Sequence, residues 1–109
     1  STMKIEDFEN IIATDRLTLV DFFKPWCGPC RTIDPALERL ALTMSHICTI
    51  IKLNTIEREH RELIRRYNIV AIPSLLLFTR SELICRITGI VSYDRLMETL
   101  RQAQVVMEY

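Results

Sequence analysis

Apolar positions along this chain repeat with two different periods, and the alternation between the periods predicts its architecture. Ile5, Phe8, Ile11 and Ile12 recur at helical spacing, with Glu6, Asp7 and Glu9 in the opening turns where acids suit the helix dipole. Leu17 to Phe23 is a β-rich apolar run too continuous to have a wet face, and so predicts a central, buried strand. The helical period returns from about Gly28, with Ile33, Leu37, Leu40, Ala41 and Met44 as its core stripe and Pro35 removing one backbone bond within it. Ile47 to Leu53 is the next strand. A long helix separates it from the first, so the two are expected to be parallel, joined by a right-handed crossover. A helix over Ile56 to Tyr67 turns Leu63, Ile64 and Tyr67 inward. Its Arg58, Arg61, Arg65 and Arg66 are interleaved with Glu57, Glu59 and Glu62, the pattern of a solvated face rather than a basic binding patch. Leu75 to Thr79 and Leu83 to Thr88 predict an antiparallel hairpin, and Tyr93, Leu96, Met97, Leu100 and Ala103 a closing helix. Arg80-Ser81 must turn that hairpin without a glycine, so a longer or non-standard turn is expected. The class is α/β, a central mixed sheet flanked by helices.

At 109 residues the chain is expected to form one domain, 1–109, with a core large enough to need no disulfide staples. Its four cysteines therefore need not be structural. Lys and Arg balance Asp and Glu at 14 each, so no net field points to nucleic acid or to an anionic membrane. No apolar stretch approaches a membrane span, and the start of the chain lacks the basic, hydrophobic, small-residue order of a signal peptide. Ser1-Thr2 ahead of Met3 has the look of a cloning remnant. Cytoplasmic localisation is the expectation, and a removed export signal is its open alternative.

The chemistry concentrates in Val20-Asp21-Phe22-Phe23-Lys24-Pro25-Trp26-Cys27-Gly28-Pro29-Cys30. A strand running directly into a helix projects the junction from the end of the sheet, which predicts Cys27 exposed at the helix N-terminus and Cys30 one turn behind it. Unpaired N–H groups and the positive end of the helix dipole meet there, and they favour the thiolate, the form that attacks a disulfide. Gly28 permits a tight turn beside a docked substrate, and Pro29 is tolerated in a first turn whose N–H groups have no partner within the helix. Cysteines at i and i+3 share a helix face, so one attacks and the other resolves. A zinc pair has the same spacing, but Cys48 and Cys85 stand alone with no histidine at ligand spacing, so no metal site is expected. Both are expected to be buried, inert thiols. Asp21 interrupts a buried apolar run, and burial is expected to raise its pKa.

With these residues in view, the chain resembles the thioredoxin family, whose active-site sequence is Trp26-Cys27-Gly28-Pro29-Cys30. The resemblance runs from about Ile5 to about Ala103 in unbroken order. It implies the thioredoxin fold, with Asp21 as the family's buried acid, Lys52 as the lysine close to it, Pro35 as the kink of the active-site helix and Ile72-Pro73 as the cis-proline. Asp21 would then move a proton to or from Cys30 through water, with Lys52 modulating its charge. Trp26, Gly28, Pro29, Val70, Ala71, Ile72, Pro73, Gly89 and Ile90 correspond to the surface that meets clients around the nucleophile. Family members usually begin with an extra edge strand, whereas only Ser1 to Lys4 precede Ile5 here. That strand is expected to be short or missing, leaving Ile47 to Leu53 as an unpaired edge.

The resemblance implies a protein disulfide reductase in which Cys27 attacks, a mixed disulfide forms and Cys30 resolves it. No cofactor would be bound. Reducing equivalents would come from NADPH through thioredoxin reductase, and the other partners would be client proteins with disulfides, met by a monomer. Two alternatives stand beside this reading: an exported reductase or isomerase of the same fold, and a non-catalytic binding subunit using the same apolar face.

Overall fold

The computed structural model describes residues 2–108. Its elements follow in the order α1 (Ile5–Ile12), β1 (Leu17–Phe23), α2 (Gly28–Thr43), β2 (Cys48–Asn54), a 3-10 turn (Arg58–His60), α3 (Arg61–Arg66), β3 (Ser74–Thr79), β4 (Glu82–Thr88) and α4 (Tyr93–Met107). The strands form one sheet in the order β2-β1-β3-β4. β1 runs parallel to β2 and antiparallel to β3, and β3 and β4 form the antiparallel hairpin.

Side-chain alternation along the two central strands divides the core into two layers. Leu17 and Leu19 of β1 and Leu75 and Leu77 of β3 pack with Ile33, Leu37 and Leu40 of α2 and Leu96, Leu100 and Ala103 of α4. Val20 and Phe22, with Leu76 and Phe78, meet Phe8 and Ile12 of α1 and Leu63 of α3 on the opposite face. Tyr67 completes that layer through a tilted ring contact with Phe8 and an edge contact with Phe78. β1 is thus covered on both faces, as its continuous apolar run requires.

Four expectations need correction. Ala41 lies on the exposed side of α2, and Ala36 packs toward the core in its place. The third helix does not begin at Ile56: Ile56 sits in a turn, held by its N–H donating to Asn54 Oδ1 at 3.1 Å, and helical structure starts at Arg58. Cys85 is half-buried on β4, whereas Cys48 is buried as expected. The β3–β4 pairing slips by one residue between Leu77 and Phe78, but the turn itself is short. Thr79 pairs with Glu82, so Arg80 and Ser81 alone make the turn, both with left-handed φ, 49° and 67°. Two positive φ values are the signature of the two-residue hairpin turn that matches strand twist. The geometry is held from outside, because Arg80 and Ser81 donate their N–H groups to the Thr14 and Ile12 carbonyls, left over where α1 ends.

No strand forms from Thr2 to Lys4, and β2 is an edge of the sheet; Ser1 lies outside the described residues. The segment is tied down by a side chain instead. His60 is fully buried, accepts the Met3 N–H on Nε2 at 3.0 Å and places Nδ1 2.6 Å from the Asn54 carbonyl. The Thr2 hydroxyl meets Glu57 alongside.

A non-glycine residue in the left-handed region costs about 1 kcal/mol. Ser81→Gly is therefore expected to raise stability by about that amount, read as a higher urea midpoint at unchanged slope. A midpoint that falls would show that Ser81 is not strained.

Candidate functional site

The site forms because β1 ends and α2 begins only a few residues apart. Phe23 is the last residue of β1, and Thr55 beyond β2 donates its N–H to the Phe23 carbonyl at 2.8 Å, so the two parallel strands stop together. Lys24 to Trp26 then turn the chain. Trp26 has a left-handed φ of 56°, costly for an aromatic residue, and its ring stands out in solvent at 85% exposure.

Cys27 is the N-cap of α2 and is bonded to Cys30. Its sulfur takes the capping role usually filled by Ser or Asp, accepting the Cys30 N–H at 3.2 Å. The expectation of an exposed Cys27 is corrected: it is 7% exposed and Cys30 4%, since each sulfur is joined to the other against the helix start. Gly28 and Pro29 remain exposed, and a Cβ added at Gly28 would meet nothing within 4 Å. Pro35 lies inside α2 and leaves the Arg31 carbonyl without its helical donor.

The chain brings two further loops to the same end of the sheet. The Ile72–Pro73 bond is cis, immediately before β3. The registered pairs of β3 begin at Ser74, so the Ile72 N–H and C=O take no part in the ladder. Gly89, at φ 86°, donates its N–H to the Pro73 carbonyl at 2.9 Å and so couples the end of β4 to the proline loop. Around them Val70 and Ile90 are exposed, as is Ala71, while Pro73 is buried and Ile72 half-buried.

Beneath the disulfide side of the sheet lies Asp21. It shares the face of Leu17 and Leu19, the face covered by α2. It is 1% exposed, and neither carboxylate oxygen has a hydrogen-bond partner among the described residues. Lys52, its register partner on β2, stands with Nζ 4.0 Å from Asp21 Oδ2. The lysine is held more closely by Asp34 of α2, at 2.9 Å, and lies over the Phe23 ring. Burial pushes the Asp21 carboxyl up from 3.8 to about 6, with Lys52 opposing the rise and Asp34 adding to it.

Asp34 and the left-handed Trp26 were not foreseen from the sequence. Asp34 follows Cys30 by four positions, a spacing that shares a helix face and signals its proximity. Nothing in the pattern marks Trp26 as left-handed. The remaining thiols stand apart from the reactive pair: burial pushes Cys48 up to about 11 and raises Cys85. Both therefore remain protonated at neutral pH, which makes them poor nucleophiles.

A family model for thioredoxin matches residues 1–102. The chain is 41% identical over 85 residues to thioredoxin of Chlamydia pneumoniae, covering 78% of this chain and 79% of that one. It is 32% identical over 91 residues to the bifunctional thioredoxin reductase/thioredoxin of Mycobacterium leprae, covering 81% of this chain and 19% of that one. Among solved structures, thioredoxin of Malassezia sympodialis superposes with a TM-score of 0.82 at 22% identity, over 93% of this chain and 88% of that one, a likeness of fold.

Asp21 fixes a pH dependence of stability whose sign follows from proton binding. Between 3.8 and about 6 the folded chain holds a proton at Asp21 that the unfolded chain has lost. Stability therefore falls as pH rises through that window, by about 3 kcal/mol in full. Asp21→Asn is expected to remove this slope from urea midpoints of the oxidised protein; parallel curves for the two proteins would contradict it.

Proposed function

The chain belongs to the thioredoxin family, and on that premise we propose that it reduces the disulfides of client proteins through Cys27 as nucleophile and Cys30 as resolving thiol. It is a thiol-disulfide oxidoreductase. The observation that carries the proposal is the Cys27–Cys30 disulfide at the N-cap of a helix, with the Ile72–Pro73 loop at the same end of the sheet.

The reduced protein starts the cycle. The Cys27 thiolate, favoured by the α2 N-terminus, attacks one sulfur of a client disulfide, and the other client sulfur leaves as a thiolate. Cys30 then loses its proton and attacks the Cys27 sulfur. The Cys27–Cys30 bond forms, the mixed disulfide breaks and the second client sulfur leaves. Two electrons pass to the client, and its two sulfurs take up two protons. Asp21, on the sheet face beneath α2, accepts the Cys30 proton through water, a role suited to a carboxyl near 6. Lys52 acts as a positioning residue, setting the charge that Asp21 can bear.

Clients lie as extended segments across Trp26, Gly28, Pro29, Val70, Ala71, Ile72, Pro73, Gly89 and Ile90. The Ile72 N–H and C=O pair with the client backbone, and the open space over Gly28 admits it closely. Such contacts read shape and backbone rather than sequence. Electrons return from NADPH through thioredoxin reductase, a reading supported by the Mycobacterium leprae relative whose name joins the two proteins. The protein works as a monomer in the cytoplasm with no bound cofactor, and neither nucleic acid nor membrane is among its partners.

Cys27→Ser is expected to reduce client turnover to the uncatalysed rate. Cys30→Ser is expected to accumulate a client cross-link at Cys27, seen as a higher-mass band released by dithiothreitol. Trapping by Cys27→Ser instead would reverse the assignment. In Asp21→Asn, the resolution step is expected to slow about tenfold or more near neutral pH, as removal of a general base does. Resolution at the wild-type rate would remove Asp21 from the mechanism.

A further inference from the structure

At the end of the sheet that holds the disulfide, all four strands join segments bearing a large apolar side chain in solvent. In the lateral order β2, β1, β3, β4, these are Ile56, Trp26, Val70 and Ile90, at 66%, 85%, 85% and 63% exposure. Single exposed apolar residues need no explanation, but four at the end of a sheet that carries a reactive disulfide do. Trp26, Val70 and Ile90 belong to the client surface already proposed. Ile56 does not.

The backbone fixes where Ile56 stands. The Thr55 N–H on the Phe23 carbonyl locks the chain beyond β2 to the end of β1, just ahead of Trp26, and Asn54 Oδ1 caps the Ile56 N–H at 3.1 Å. Ile56 belongs to neither core layer. The turn it occupies is held by Asn54 and asks nothing of an isoleucine side chain, so its apolar surface is available to a ligand.

Charge at this end is uneven. Lys24, just before Trp26, and Arg31, just after Cys30, are exposed, and among the described residues neither makes an ion pair. The acids nearby are engaged or displaced. Asp34 is held by Lys52 and Glu57 by the Thr2 hydroxyl, and Glu59 follows Arg58 in the chain, so that pair of neighbours adds no net charge. Asp94 lies in the first turn of α4, four positions beyond Ile90 and past the β4 edge of the stripe. The reactive pair is therefore flanked by two uncompensated cations on an apolar stripe.

We infer that the favoured clients present a disulfide with a large aliphatic residue on the β2 side, packed on Ile56 and Trp26, and a carboxylate next to the attacked cysteine, facing Lys24 and Arg31. This rests on the disulfide-reductase reading and adds a specificity to it. Charges at such a rim act mainly on the association rate and fade with salt.

The test uses the full chain reduced by dithiothreitol and four synthetic disulfide peptides, with Glu or Lys beside the cysteine and Leu or Ser two positions away. Emission of Trp26, the chain's single tryptophan, reports oxidation. The Glu peptides are expected to react about threefold faster than the Lys peptides in 20 mM salt, the size of an exposed ion pair, with the preference fading by 0.5 M. Lys24→Gln is expected to shrink that ratio. Ile56→Ser is expected to slow the Leu peptides about fivefold, relative to its own rate with uncharged hydroxyethyl disulfide, and the Ser peptides hardly at all. Equal rates for all four peptides would overturn the inference and leave the reductase reading intact. Failure to reduce any peptide while hydroxyethyl disulfide reacts would overturn both. Self-association of the free protein that Ile56→Ser abolishes would also overturn the inference, assigning the stripe to a second copy.

Discussion

β1 is paired on both edges and covered on both faces, and the rest of the molecule is arranged by that constraint. A strand so placed has nowhere to continue except out of the end of the sheet. It stops at Phe23, level with Asn54 of β2, and the chain must enter α2 within a few residues. The tight junction puts a cysteine at the N-cap, where orphan N–H groups favour a thiolate. It also forces Trp26 into a left-handed conformation that only firm support on both sides can maintain. β3 starts and β4 ends at the same level, so strand register, with the Gly89 N–H on the Pro73 carbonyl, brings the proline loop and Gly89 to the end of the sheet that carries the disulfide.

The same alternation that builds the core aims Asp21 under α2. Leu17 and Leu19 share its face, a position that the alternation of the strand assigns to an apolar side chain. The chain carries an unsatisfied acid there, with a lysine 4.0 Å away that is itself drawn off by Asp34. The Lys52 charge is thus divided between two carboxylates, too little to restore an ordinary pKa to the buried one. The result is a carboxyl that costs stability when ionised and is held at about 6.

Much of this was legible in the sequence because each element satisfies a local rule. Leu17 to Phe23 matches β1, and the apolar periods give the four helices and the hairpin in order. The motif declared its position through the strand-helix junction. What escaped was set by contacts between distant segments. Arg80-Ser81 turns without glycine because carbonyls at the end of α1 hold it, and no local pattern encodes that. Ile56 carries the periodicity of a helix but lies in a turn fixed by Asn54. Ala41 lies on the outer side of α2, and the stripe closes through Ala36 instead. That Thr2 to Lys4 forms no strand fits the expectation from sequence, whereas the tie of this segment at His60 was not foreseen.

The central claim is that the Cys27–Cys30 pair donates electrons to client disulfides rather than withdrawing them. Its most direct test is the equilibrium reduction potential of that pair, titrated against a glutathione or dithiothreitol couple with the two thiols quantified by alkylation. The account predicts a potential at least about 30 mV below the glutathione couple, a tenfold bias toward giving up electrons. A potential at or above that couple would contradict it and assign the same geometry to forming or rearranging disulfides.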